Sequence, residues 1–238
     1  MNKNIKVILG SIYLAILITF LYFLFLNFDI SRIDDFTYYK KINLNIDEII
    51  GDNLIFNLML FSVFSIVWVI LLGFGSPLLL LSGILFGKWI GTFISSISIS
   101  IGALCLYIIA SFFFSDLINS LLRERFAKFI KRFKKNEFNY FLIFRLSGGL
   151  GIPFFLQNVF PVLFNIEKKN YFFATLIGFL PHFFVWNAIG AGINKFIKES
   201  DSFNFLNLIM SKEIYIPIFI FIILIIISSI IKTKFFND

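Results

Sequence analysis

Between Asp52 and Asp116 the chain carries one charged side chain, Lys88, and between Glu137 and Glu167 it carries one, Arg145. A soluble domain cannot run so far without charge, because its surface turns back to water every few residues. A bilayer core of about 30 Å fits instead, since roughly 20 apolar residues cross it as a helix. In lipid every backbone polar group needs an internal partner, so helices are the expected element. The whole composition agrees: 59% of the 238 residues are hydrophobic and 15% are charged, against about 45–50% and about 25% in soluble domains.

The same inventory removes several functions. The only cysteine is Cys105 and the only histidine is His182, so a disulfide framework or a site built from Cys and His ligands is not expected. No metal and no cofactor is expected, and no nucleophile–base pair is visible, so no catalytic residue and no enzyme is expected. The net charge of +7 belongs to cytoplasmic loops facing anionic lipid rather than to nucleic acid, because no reading motif accompanies the basic residues.

Residues 7–26 read as an uncleaved first span, followed by an acidic polar connection over 27–53. Together they form an N-terminal anchor unit, 1–53. A second full span is expected at about 54–73. In GFGSPLLLLSGILFGKWIGTF the pattern breaks, with Gly73, Gly75, Pro77, Gly83, Gly87 and Gly91 close together. The nine residues from Leu78 to Phe86 are too short to cross, so a re-entrant hairpin near 75–88 is expected before a span near 89–114. The small residues of ISSISISIGA let helices approach closely there. Residues 116–137 read as an amphipathic basic helix, lying in the membrane interface or simply connecting in solvent.

A second broken segment follows, FLIFRLSGGLGIPFFLQNVFPVLF at 141–164, which holds Arg145, Gly148, Gly149, Gly151, Pro153, Gln157, Asn158 and Pro161. A second re-entrant hairpin near 145–166 is expected, then a span at 170–192 containing Pro181. A loop and a last span make up 193–238. The expected fold is thus all-α, with about five transmembrane helices and two re-entrant hairpins arranged as an inverted repeat.

Charge bias sets a puzzle. An acidic connection outside and a basic helix inside require an odd number of crossings between them. Two full spans and one non-crossing hairpin supply an even number. The basic helix is the stronger signal and stays cytoplasmic, the N-terminal side stays open, and the C-terminus returns to the cytoplasm.

An ionisable group at membrane depth is costly and usually faces protein or water. Broken backbone at that depth is tolerated only where it is buried or lines a wet cavity. Arg145 beside SGGLGIP meets both conditions, although snorkelling to the phosphates is the simpler reading of a lone arginine. Gln157 and Asn158 could equally be interhelical hydrogen bonders, and His182 a packed polar group. Paired broken helices, one in each half, are the pattern of carriers that hold a polar path at the midplane.

The pieces SGILFGKWIGT (82–92), FRLSGGLGIPFFLQNVF (144–160) and FFATLIGFLPHFFVWNAIGA (172–191) resemble the VTT-domain proteins of the DedA superfamily, also called SNARE-associated Golgi proteins. The resemblance covers about 73–192. It implies a core over 54–192, a role in translocating or scrambling lipids and in membrane homeostasis, and a multi-pass location in a bacterial-type plasma membrane. On this resemblance the lipid path falls on Arg145, Pro153 and Asn158, with Gln157 beside them. Gly83, Phe86, Gly87 and Gly91 match the first hairpin, and Gly178, Pro181 and Gly190 match the span after the second. The Arg145-to-Pro153 distance is longer than the family's usual spacing, glycines replace a proline after Ser147, and no glycine follows Asn158. The first hairpin lacks the acidic residues of proton-coupled members.

The expected partners are membrane lipids with anionic headgroups, and a homo-oligomer is compatible with such a chain. Two other functions remain open at this point: an ion-coupled carrier of a small solute, and a non-transporting membrane organiser that binds lipids or partners through helix 116–137.

Overall fold

The computed structural model describes residues 8, 10–16, 18–19, 22, 48, 50–51, 53–71, 73–122, 127–200 and 204–236. The span expected at 7–26 falls partly outside these residues and the connection at 27–53 mostly outside them. Among the described residues all regular structure is helical. Two helical stretches are long and apolar enough to cross a bilayer, Gly75–Asp116 and Lys168–Glu199.

Helix α1 (Leu54–Ile70) starts where the Asn53 side chain accepts from the Phe56 amide at 3.2 Å. That bond satisfies one of the open donors of the first turn. At 17 residues it is about 26 Å long. The chain then reverses, and the turn is fastened by the Trp68 indole, which donates to the Phe74 carbonyl at 2.9 Å. Helix α2 (Gly75–Leu122) runs back beside α1, with the Phe61 and Phe86 rings edge to face at 5.4 Å. The reversal predicted within 75–88 therefore sits just before Gly75, and α1 is one arm of it.

Inside α2 the backbone breaks at Gly87, where φ is 73° and ψ is 176°. A side chain there would crowd the preceding carbonyl, a strain that glycine avoids. Beyond Gly87 the long arm of α2 lies antiparallel to α6 (Lys168–Glu199). Asn187 Nδ2 donates to Ser95 Oγ at 3.3 Å near one end, and Tyr107 stacks on Tyr171 at 4.5 Å near the other. The same arm meets α1 through its small residues: a Cβ at Gly102 would lie 2.9 Å from Cβ of Val69 and 3.0 Å from the Ile66 carbonyl oxygen.

Of the basic segment read as a helix over 116–137, α2 covers the start through Leu122, residues 123–126 lie outside the described ones, and α3 (Ala127–Lys134) is helical up to a turn at Lys135 and Asn136. Its apolar residue Phe133 is buried, stacked on Phe164 at 4.4 Å. That ring is turned into the protein rather than down into lipid, because Phe164 and Tyr140 offer it aromatic partners.

Helix α4 (Glu137–Leu146), a 3₁₀ turn (Gly148–Gly151), α5 (Phe154–Val159) and a second 3₁₀ turn (Phe160–Phe164) form one excursion. It begins and ends at a single point. Glu137 Oε1 accepts from the Glu167 amide and from Asn170 Nδ2, both at 2.8 Å, while Oε2 pairs with Lys134 Nζ at 2.7 Å. Burial pushes the Glu137 carboxyl up, but these bonds and the Lys134 charge outweigh it and hold the group below its ordinary value. Glu137 thus fastens the two ends of the excursion in its ionised form.

After α6 come α7 (Phe205–Met210) and α8 (Lys212–Phe236). α8 is antiparallel to α6: Glu213 pairs with Lys195, and further along Phe221 meets Trp186 and His182 at 5.7 and 6.1 Å.

Candidate functional site

Both reversals end near the middle of α6. Gly148, in the second, packs against the His182 ring, since a Cβ there would lie 3.2 Å from Nε2. Phe154, just past the same turn, packs on Phe179 of α6 at 5.8 Å. The Phe154 ring also faces Gly75, just after the first reversal, where a Cβ would lie 3.5 Å from it. The two turns therefore touch each other, and they do so beside the centre of α6.

Arg145 sits immediately before the second turn and is completely buried. Its Nη2 donates to Asn158 Oδ1 and to Tyr171 Oη, each at 2.9 Å, and Nη1 reaches Gln157 Oε1 at 3.4 Å. The guanidinium carbon lies 4.6 Å from the Phe179 ring centre, 4.7 Å from Phe141 and 5.4 Å from Tyr171. Such distances give a cation–π attraction of about 2 kcal/mol per desolvated ring. Every partner is neutral. Among the described residues no carboxylate pairs with Arg145, so its charge is offset by dipoles and ring faces alone. Arg145 Nε and Asn158 Nδ2 are buried donors with no partner among the described residues.

The broken backbone is served by Gln157. Its Nε2 donates to the Gly148 carbonyl at 3.2 Å and the Ile152 carbonyl at 2.7 Å. These are groups that a continuous helix would have satisfied and that lipid could not. Gly149 has φ of 71° and is crossed by the Gln157 amide, so a Cβ would collide with it. Tyr171 in turn hydrogen-bonds the Asn158 carbonyl at 3.3 Å. One polar knot thus holds α4, the turn, α5 and α6 together.

A second knot braces the kink at Gly87. Ser82 Oγ donates across it to the Gly91 carbonyl at 3.0 Å. Asn187 Nδ2 donates to the Phe183 carbonyl at 2.8 Å as well as to Ser95, and Asn194 Nδ2 donates to the Ile84 carbonyl at 2.7 Å. Here the helices touch through backbone: a Cβ at Gly83 would strike the Asn187 carbonyl, and one at Gly190 would strike the Leu80 carbonyl.

The residues singled out from sequence separate into these two knots. Arg145, Gln157 and Asn158 come together, and Gly178 lies against them, since a Cβ there would meet Cβ of Arg145. Pro153 does not join them. It is exposed at the start of α5, where its carbonyl accepts from the Gln157 amide at 3.0 Å. Gly83, Gly91 and Gly190 gather around Asn187, while Phe86 is buried against α1. Pro181 is half-buried inside α6. His182 Nδ1 has no partner among the described residues.

Sequence reading missed Tyr171, Asn187, Phe141, Phe179 and the Glu137 clasp. Asn187 carried a usable signal as the lone amide within a 20-residue apolar run. Phe141 and Phe179 carried none, being two among 36 phenylalanines.

Compared with known proteins, residues 69–192 match the family model described as the VTT domain. No solved structure matches the chain.

Proposed function

With just over half of its length matched, the chain belongs to the VTT-domain family, the DedA group of membrane proteins, and from that premise we propose that it moves lipids between the leaflets of a bilayer without covalent chemistry. The observation that carries this reading is Arg145, a buried cation without a carboxylate, set where two chain reversals meet.

The two reversals are read as re-entrant hairpins. One is α1 with the first arm of α2, entering from the Gly87 end. The other is Glu137 to Glu167, entering from the opposite end of α6. On this reading α1 does not cross, and only the long arm of α2 crosses between the acidic connection and the basic α3. The odd count that charge bias demands is then met. Residues near the N-terminus fit the same arrangement: the Tyr13 hydroxyl donates to the Ile70 carbonyl at 2.6 Å, and Gly10 faces Phe113. With the spans expected at 7–26 and 214–231 counted as crossings, this reading gives four crossings and two hairpins.

A phosphate suits the Arg145 knot chemically. The guanidinium now bonds neutral oxygens, and an oxyanion forms shorter bonds with it, roughly twice as strong. The two unused donors, Arg145 Nε and Asn158 Nδ2, lie in the same knot. Because the guanidinium is enclosed, a headgroup reaches it when the second hairpin shifts. The left-handed glycines Gly148 and Gly149 (φ of 64° and 71°) form the natural pivot.

Purified protein in liposomes carrying a labelled phospholipid tests this. Leaflet exchange well above that of protein-free liposomes is expected. Exchange at the protein-free rate with every headgroup tried would overturn the reading.

A further inference from the structure

Of the seven cations over 123–135, Lys134 is already committed, because it is paired with Glu137 and also donates to the Asn165 carbonyl. Arg132 and Lys135 are not. Both are exposed, and neither pairs with a carboxylate among the described residues. Arg132 Nε donates to the Tyr140 hydroxyl at 3.2 Å, which steadies the guanidinium, and among the described residues neither Nη group has a hydrogen-bond partner.

These two cations line a cleft of about 550 Å³, where the amides of Asn136 and Asn139 and the Tyr140 hydroxyl add neutral hydrogen-bonding groups. That volume lies within the range of sites that hold small organic groups. Leu142 and Ile143 add apolar side chains to its lining. Asn136, Asn139, Tyr140 and Ile143 recur three and four residues apart, so they follow one another down a single face of α4. The opposite face of that helix carries buried Phe141, Phe144 and Arg145. The cleft therefore grades from two unpaired cations, through amides and a phenol, to apolar side chains over one helical stripe.

We propose that this α3–α4 cleft is a binding site for an anionic phospholipid of the leaflet on the basic side. The phosphate and headgroup lie between Arg132 and Lys135, and the acyl chains lie along Leu142 and Ile143. The gradient fits an amphiphile whose charge and grease are covalently joined; a free phosphate would use only the upper half. The proposal deepens the lipid-transport reading and rests on it for the bilayer setting. It adds a headgroup preference, and it places the loading point on the outer flank of the helix that ends in Arg145.

The test uses the full chain in neutral detergent, with lipid retention read by native mass spectrometry. Phosphatidylglycerol is compared with phosphatidylcholine of the same chains and with inorganic phosphate as competitor. Near an anionic headgroup each cation is worth about fivefold in binding. The Arg132→Gln/Lys135→Gln protein should therefore hold phosphatidylglycerol about 20-fold more weakly, with a much smaller loss for phosphatidylcholine, whose ammonium cancels its phosphate charge and makes its binding the weaker one in the parent. The Lys168→Gln/Lys169→Gln protein removes the same charge at exposed positions away from the cleft and should bind as the parent does. Lys135→Gln alone, an exposed change, should show about fivefold and provides the reading if the double variant fails to fold.

Equal binding by parent and cleft variants would overturn the proposal. So would an equal loss in the Lys168/Lys169 control, which would mean a diffuse field, or displacement of the lipid by an equal concentration of inorganic phosphate, which would mean a simple anion site. A protein that binds phosphatidylglycerol through this cleft yet moves no lipid would overturn the transport reading and leave the cleft standing.

Discussion

Arg145→Lys is expected to lower leaflet exchange at least about tenfold and to destabilise the second hairpin by about 3–5 kcal/mol, despite keeping the charge. The guanidinium reaches Asn158, Tyr171 and Gln157 together, from two nitrogens, while three ring faces surround its plane. An ammonium is a compact point charge that cannot span those acceptors, and its desolvation cost remains. Arg145→Met separates charge from fold. It removes the cation and its desolvation cost, fits the aromatic box, and leaves Tyr171 hydrogen-bonded to Asn158. The methionine protein should therefore unfold at a higher temperature than the lysine protein, yet exchange lipid no faster. Thermal unfolding in detergent and exchange in liposomes, measured on the same preparations, check this. If exchange simply follows stability across the two variants, Arg145 is a brace and does not handle headgroups.

The second large effect belongs to the crossing of α2 and α6. Gly83→Leu or Gly190→Leu should each cost about 3 kcal/mol or more, above the usual range for overpacked cores. The atoms in the way are the carbonyls of Asn187 and Leu80, and backbone cannot swing aside as a side chain does. The helices must separate, which pulls Asn187 from the Ser95 hydroxyl and Asn194 from the Ile84 carbonyl. Gly87→Ala is the informative contrast. Nothing lies within 4 Å of a Cβ there, and only the backbone angles, φ 73° and ψ 176°, oppose it, so about 1–3 kcal/mol is expected. Melting temperatures of the purified variants should rank in that order, and a Gly87→Ala protein less stable than Gly190→Leu would contradict the packing.

Much of this was legible from charge and glycine spacing. A single cation in each of two long apolar stretches led to Arg145, and the run SGGLGIP gave the site of the second break. What the sequence concealed was direction. Leu54–Ile70 has the apolar length of a marginal span, and nothing local says that it turns back at its end. The fact that does say so, Phe61 facing Phe86, is a tertiary contact between two of many phenylalanines. The parity of the flanking charges carries the matching constraint for the proposed topology, in which α1 does not cross. The basic segment hid its packing for a related reason: the periodicity of 116–137 shows an apolar face but not what covers it, and Phe133 is covered by Phe164.

Everything in the proposed mechanism depends on two hairpins entering from opposite sides and touching at their turns. A cysteine pair reports that contact directly. Gly75→Cys and Phe154→Cys, placed together in a Cys105→Ser chain, put sulfurs at positions where a Cβ at Gly75 lies 3.6 Å from Cγ of Phe154. Those Cβ atoms are within about 5 Å of each other, close to the reach of a disulfide with slight backbone movement. Mild oxidation in native membranes should cross-link most of the doubly substituted chains within themselves and none of the singly substituted ones. Failure of the pair to cross-link, in a protein that still folds and inserts, would mean that the turns lie apart and that no shared centre exists for a lipid to pass.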